Sequence, residues 1–100
     1  MPPEFDEVVQ LFQKYRGDEF HFLQEAALFL ARRWGEITAD DLYNLCDYLG
    51  LYKDRRIIGG VLGHLKKKGL LIPDRITRTS RREAHGRPIW VFVVPGGKRK

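Results

Sequence analysis

Apolar positions recur at helical spacing through the first two thirds of the chain and run together in its last third. Phe5, Val8, Val9, Leu11, Phe12 and Tyr15 follow Pro3 and the acids Glu4, Asp6 and Glu7, which suit a helix N-terminus, and Gly17 ends the segment. This pattern predicts a short amphipathic helix over residues 4–15. Asp18 then reads as the N-cap of a second helix, which stops at Gly35. Its Phe22, Leu23, Ala26, Ala27, Leu28, Phe29, Leu30 and Ala31 form an apolar band wide enough to need partners on several sides, the mark of a central helix. Ile37 has room for a single β-bridge. Thr38 with Asp41 resembles a capping box with Asp in place of Glu, opening a third helix that Gly50 ends. On that helix Leu42, Leu45, Cys46 and Leu49 take the core side, leaving Tyr43, Asn44, Asp47 and Tyr48 on the other.

A fourth helix is predicted over residues 54–68, with Gly69 just past its end. Ile58, Val61, Leu62 and Leu65 share its core side. At 100° per residue the opposite side holds Arg56, Gly60, Gly63 and Lys67, flanked by Gly59 and His64. A mid-helix glycine costs roughly 1 kcal/mol relative to alanine, so three of them ask for a reason. Gly60 and Gly63 would let another backbone come close from outside, and Gly59 would pack closely on the preceding helix. Residues 70–79 and 88–94 read as two strands around an arginine-rich turn, with Pro73 confined to an edge or a strand end. Trp90, Phe92 and Val94 share one face of the last strand, and Ile89, Val91 and Val93 the other. Two apolar faces imply that the ribbon is covered on both sides or that one side awaits a partner; the first helix or a second subunit could cover it, and stacking of Trp90 on a nucleobase is a third option. Trp34, Trp90 and Phe92 are accordingly expected in or near the core.

One hundred residues suit one core: a single domain over 1–95, with 1–17 as a helical extension and 96–100 as a basic flexible tail. A hydrophobic share of 43% excludes a disordered composition. No apolar run approaches the ~20 residues of a membrane span. The acidic start MPPEFDEVV lacks the positive region of a secretory signal, so the expected location is cytoplasmic (the host cytoplasm if the protein is viral). Cys46, the single cysteine, excludes an internal disulfide and a cysteine-based zinc site, and reads as a small core residue. No nucleophile–base pair stands out, the histidines are scattered at 21, 64 and 85, and no glycine-rich phosphate loop follows a strand. The expectation is therefore no enzyme, no metal and no cofactor.

Charge sharpens the picture. Residues 53–87 hold eleven Lys/Arg against three acids, whereas residues 1–52 hold four basic and ten acidic side chains. The net charge of +5 hides this division, which is the footprint expected of a face that meets a polyanion. On the fourth helix Arg55, Arg56, His64 and Lys67, with Gly60 between them, are the candidates for contact with a DNA major groove, where Arg pairs bidentately with guanine. The plainer reading is a solvated face, with Lys66, Lys67 and Lys68 favoured by the helix C-terminus. Arg32 and Arg33 end the second helix, where the dipole favours cations, and need no functional explanation. In the turn, Arg78, Arg81, Arg82 and Arg87 gather like charges that repel until phosphates neutralise them, with Ser80 and His85 beside them as further candidate contacts. A merely solvated loop is the alternative there, and Gly86 is expected to close the turn with a positive φ.

Helix, helix, bridge, helix, helix and a charged hairpin is the layout of a winged helix-turn-helix with an extra N-terminal helix, mainly α with a small antiparallel β-ribbon. GGVLGHLKKKGLLI followed by TSRREAHGRPIWVF also resembles small phage and prophage winged-helix proteins. Their second half reads Gly-x-Val, a basic helix end, Gly-Leu-Ile, then Ser/Thr-Arg-Arg and Cys-His-Gly-Arg-Pro. Gly59, Val61, Gly69, Ser80, Arg81, Arg82, His85, Gly86, Arg87 and Pro88 fit, while Ala84 stands where that pattern often has Cys. The resemblance spans a third of the chain. It implies a DNA-binding module and little more; the function expected of the whole chain is binding of double-stranded DNA, as a regulator of transcription or a replication accessory of a phage or mobile element. The rival is a protein-interaction winged helix that docks a partner through its acidic half, with RNA binding a weaker third. A homodimer through the N-terminal helix or the last strand would predict a palindromic DNA site.

Overall fold

The computed structural model describes residues 3–51, 55–79 and 86–96. Along the chain lie α1 (Glu4–Lys14), α2 (Glu19–Trp34), α3 (Ala39–Leu49), α4 (Arg55–Lys67), β1 (Ile72–Arg78) and β2 (Pro88–Val93). Local chemistry sets most boundaries. The carboxylate of Asp18 accepts the His21 N–H at 3.2 Å and so caps α2, and Gly35 ends it in the left-handed conformation at φ 85°. At α3 the capping box is complete. The Asp41 N–H donates to Thr38 Oγ1 at 3.3 Å, and the Thr38 N–H donates to Asp41 Oδ2 at 2.8 Å. Burial pushes the Asp41 carboxyl above its usual value, and the two bonds from Thr38 oppose that shift.

α2 packs against α1 and α4, and α3 against the same two helices. Phe22 and Leu30 of α2, Leu42 and Leu45 of α3, Ile58 and Leu65 of α4, and Leu71 are fully buried. Burying each such side chain contributes roughly 1.5–3 kcal/mol. α1 buries Phe5 and Val8 in this same core. The Phe5 ring lies 5.6 Å from that of Tyr48 and 6.1 Å from that of Trp34. Tyr48 donates its hydroxyl to the Asp6 carboxylate, and that bond raises the phenol above its usual value.

Arg33 serves the fold besides sitting at a helix end: its guanidinium forks onto Glu7 at 3.0 and 3.2 Å and stands 3.9 Å from Glu4. One expectation about these helices needs correction. Tyr43 belongs to the core at 7% exposure, since α3 is enclosed over a wider arc than its leucines alone suggest.

β1 and β2 form an antiparallel pair in the register Ile72↔Val93, Ile76↔Trp90 and Arg78↔Pro88. An irregularity between Pro73 and Arg75 leaves Asp74 as the extra residue of a bulge. On the other edge of β2, Ile37 and Phe92 exchange two backbone hydrogen bonds of 2.9 Å, the single bridge that the sequence allows. The architecture is thus mainly α, four helices with a two-stranded antiparallel sheet. Val91, Phe92 and Val93 are buried, but Trp90 is 47% and Ile76 57% exposed. Within this chain one side of the ribbon is therefore left open, as in the reading where that side awaits a partner, and Trp90 is not a core residue. The first helix cannot serve as its cover, because its apolar side is taken up by α2 and α3. Among the described residues no helix is long and apolar enough to cross a membrane.

Candidate functional site

α4 is the element around which the unusual surface is built. Ile58, Val61, Leu62 and Leu65 turn inward, while Arg56, Gly59, Gly60, Gly63, Lys66 and Lys67 are exposed. One flank meets α2: a Cβ on Gly60 would lie 3.7 Å from the Phe20 ring, and the half-buried His64 stands edge-on to that ring at 5.8 Å. The other flank meets β2. There Gly59, Leu62, Gly63 and Lys66 face Ile89, Trp90 and Phe92 across a groove of ≈ 290 Å³, with Ala39 at its margin. A Cβ on Gly59 or Gly63 would touch nothing within 4 Å. This corrects the close helix packing expected of Gly59. Its missing side chain opens space toward the strand instead.

The hairpin end is tied to the helices at its base. The Thr79 N–H donates to the Arg87 carbonyl at 2.9 Å, and the Arg78 guanidinium donates to the Gly86 carbonyl at 3.1 Å. Gly86 has the positive φ expected of it, 73°. The Thr79 hydroxyl also donates to Asp40 Oδ1 at 2.6 Å, with the two residues only 6% and 9% exposed. This bond joins the first turn of α3 to the hairpin and was not foreseen, since the sequence places the partners 39 residues apart with nothing to pair them.

The cations divide into two groups. Arg75 is held by Glu36 at 2.7 Å and by Asp74 at 2.9 Å, and these bonds, Glu36 first, keep its guanidinium above its usual value. It does not add to the free positive charge of the hairpin. Lys66, Lys67 and Arg87 are exposed, and among the described residues none of them is seen in an ion pair. Arg56 is exposed at the opposite end of α4. Ser80, Arg81, Arg82 and His85, the densest part of the expected contact surface, lie outside the described residues, as does the side chain of Arg55 and the tail 97–100. Of the expected contacts, the described part of the molecule thus leaves Arg56 and Lys67 exposed on α4, places Gly60 and His64 on its α2 flank, and sets Arg78 and Arg87 at the hairpin base.

Among the described residues no group of three or more His, Cys, Asp or Glu side chains is placed to hold a metal ion. Cys46 is buried. Comparison with known proteins finds no family model, no curated protein and no solved structure that matches this chain.

Proposed function

We propose that the protein binds duplex DNA as a winged helix-turn-helix. In this reading α3 and α4 form the helix-turn-helix, α4 enters the major groove, and the hairpin is the wing that meets the backbone or the minor groove. The observation that carries it is the juxtaposition of α4 and β2. The flank with Gly59, Gly63 and Lys66 lies beside Ile89 and Trp90, so a strand of the hairpin borders the helix that carries the exposed Arg56, Lys66 and Lys67. Arg56 and Lys67 stand roughly 16 Å apart at 1.5 Å per residue, at the two ends of an exposed line whose middle is glycine. Base reading therefore falls to the ends of α4: Arg56 to guanine, Lys67 to guanine or phosphate. His64, turned toward Phe20, plays the smaller part.

The acids of the first half favour DNA over an interaction module that docks a partner through that half. Seven of the ten already serve the fold: Glu4 and Glu7 hold Arg33, Asp6 takes the Tyr48 hydroxyl, Asp18 and Asp41 cap helices, Glu36 holds Arg75 and Asp40 takes Thr79. In this reading the protein serves as a regulator or replication accessory of a phage or mobile element, while the sequence resemblance by itself supports only a DNA-binding module.

The test is fluorescence anisotropy with a random-sequence duplex of about 30 base pairs across a salt series. The expected result is a steep log–log loss of affinity, its slope lessened by about 1.8 in the Arg81→Ala/Arg82→Ala variant, while Arg56→Ala changes preference among sequences. No binding at low salt would overturn the proposal.

A further inference from the structure

We infer that the groove between α4 and β2 is a seat for the sugar–phosphate backbone of one DNA strand, contacted by Trp90 and Lys66. The inference rests on the DNA-binding reading and assigns to it a site that neither the helix nor the hairpin tip supplies alone.

The sheet edge is the first reason. Phe92 directs both its N–H and its C=O at Ile37, away from β1. In an antiparallel ladder alternate residues point the same way, so Trp90 also turns its N–H and C=O to that edge. The bond from Thr79 to the Arg87 carbonyl fixes the same parity, with the odd-numbered residues of β2 facing β1. The chain at Ile37 makes one rung only and then enters α3. Beyond that rung the edge beside Trp90 borders the groove, where Ala39 stands at the margin. Trp90 thus brings a backbone N–H to that edge and carries an indole N–H on its side chain, and donors of both kinds bind phosphate oxygens.

Burial and charge give the other reasons. Trp90 is the one large aromatic of β2 left open to solvent, between the half-buried Ile89 and the buried Val91. It offers apolar surface to a deoxyribose next to donors for a phosphate. The groove has no acidic side chain in its lining and has Lys66 at its rim. Arg56 and Lys67 are exposed on the same helix. An anionic occupant with an apolar part fits these walls, and the repeating cations favour a polyanion over a single charge. The open space at Gly59 and Gly63 lets it approach the helix backbone.

The experiment repeats the duplex salt series with full-length Gly63→Leu and Lys66→Gln variants, following thermal unfolding in parallel. Gly63→Leu adds no charge and fills the groove. It is expected to weaken duplex binding on the order of tenfold while its melting temperature stays at or above that of the parent. Lys66→Gln is expected to lessen the salt slope by about 0.9, the share of one phosphate contact. If the parent binds duplex and Gly63→Leu binds equally well, the groove is not the seat, and the DNA reading stands without it. Should Gly63→Leu not fold, an unchanged slope for Lys66→Gln overturns the inference by itself. If the parent fails to bind duplex at low salt, the DNA reading and this inference both fall, and an acidic peptide becomes the occupant to try.

Discussion

Arg33 and Lys66 mark the contrast between the two halves of this protein. Arg33, on α2, lies across Glu7 and Glu4 and also stands 5.6 Å from the centre of the Phe29 ring. Lys66, on α4, projects at the rim of an open groove. The same division runs through the neighbouring residues. In α1–α3 the glycines sit at helix ends, where a left-handed residue is required, and the polar groups are joined in pairs. In α4 and the hairpin, glycines occupy helix interior, three apolar side chains (Ile72, Ile76 and Trp90) stand exposed, and cations crowd together. Local choices in the first half mostly favour folding, with Phe20 and Tyr48, each 37% exposed, as departures. Several in the second half work against it, through lost helix propensity, exposed apolar area and like-charge repulsion. Departures from local consistency of this kind are where contacts with a partner are to be sought.

The largest expected effect tests whether the first half is the stabilising one. Leu30→Ala, at a fully buried position of α2, should lower unfolding free energy by about 2–5 kcal/mol in urea titration, without altering the salt slope of duplex binding where the protein stays folded. Thr79→Val crosses the boundary between the halves. It removes one hydrogen bond from the buried Asp40 carboxylate and should cost about 1–3 kcal/mol, with faster amide exchange at the hairpin base as the direct readout. An unchanged exchange pattern would mean that the hairpin does not depend on α3 for its placement.

Smaller changes sharpen the same contrast. Thr38→Ala dismantles the capping box of α3 and should cost about 1 kcal/mol by chemical denaturation. The smallest concerns Asp18, whose carboxyl is held below 3.8 by hydrogen bonds from the His21 side chain and backbone. A carboxyl depressed in the folded state contributes fully above its unfolded value, and that contribution fades as pH falls through the lower folded value. Asp18→Asn keeps a capping oxygen but not the charge, so melting temperatures recorded from about pH 5 down to 2 should fall less steeply than in the parent.

Much of the helical half was legible because its determinants are local. Asp18, Gly35, Thr38, Asp41 and Gly50 each act within a few residues of the boundary they set, and the apolar periods pick out Phe22, Leu30, Leu45 and Leu65 as core. Ile37 was readable as a bridge from its isolation between two caps, and Cys46 as core from its company. The exposure of Trp90 was not legible, because an aromatic in an alternating apolar strand looks the same whether or not another element covers it. Nor was the use of Gly59: one turn of helix separates packing on a neighbour from opening toward a strand, and only the placement of β2 decides between them.

The sequence by itself determined where helices begin and end, which side of each is apolar, and that positive charge gathers after residue 52. These follow from period, capping and composition, all read along the chain. Tertiary structure alone decided that Glu36 neutralises Arg75, that Asp40 reaches Thr79 across 39 residues, and that β2 lies along the glycine flank of α4 to leave a groove. Each of these joins segments far apart in the chain, and pairing at that distance is set by how the core packs rather than by any local preference.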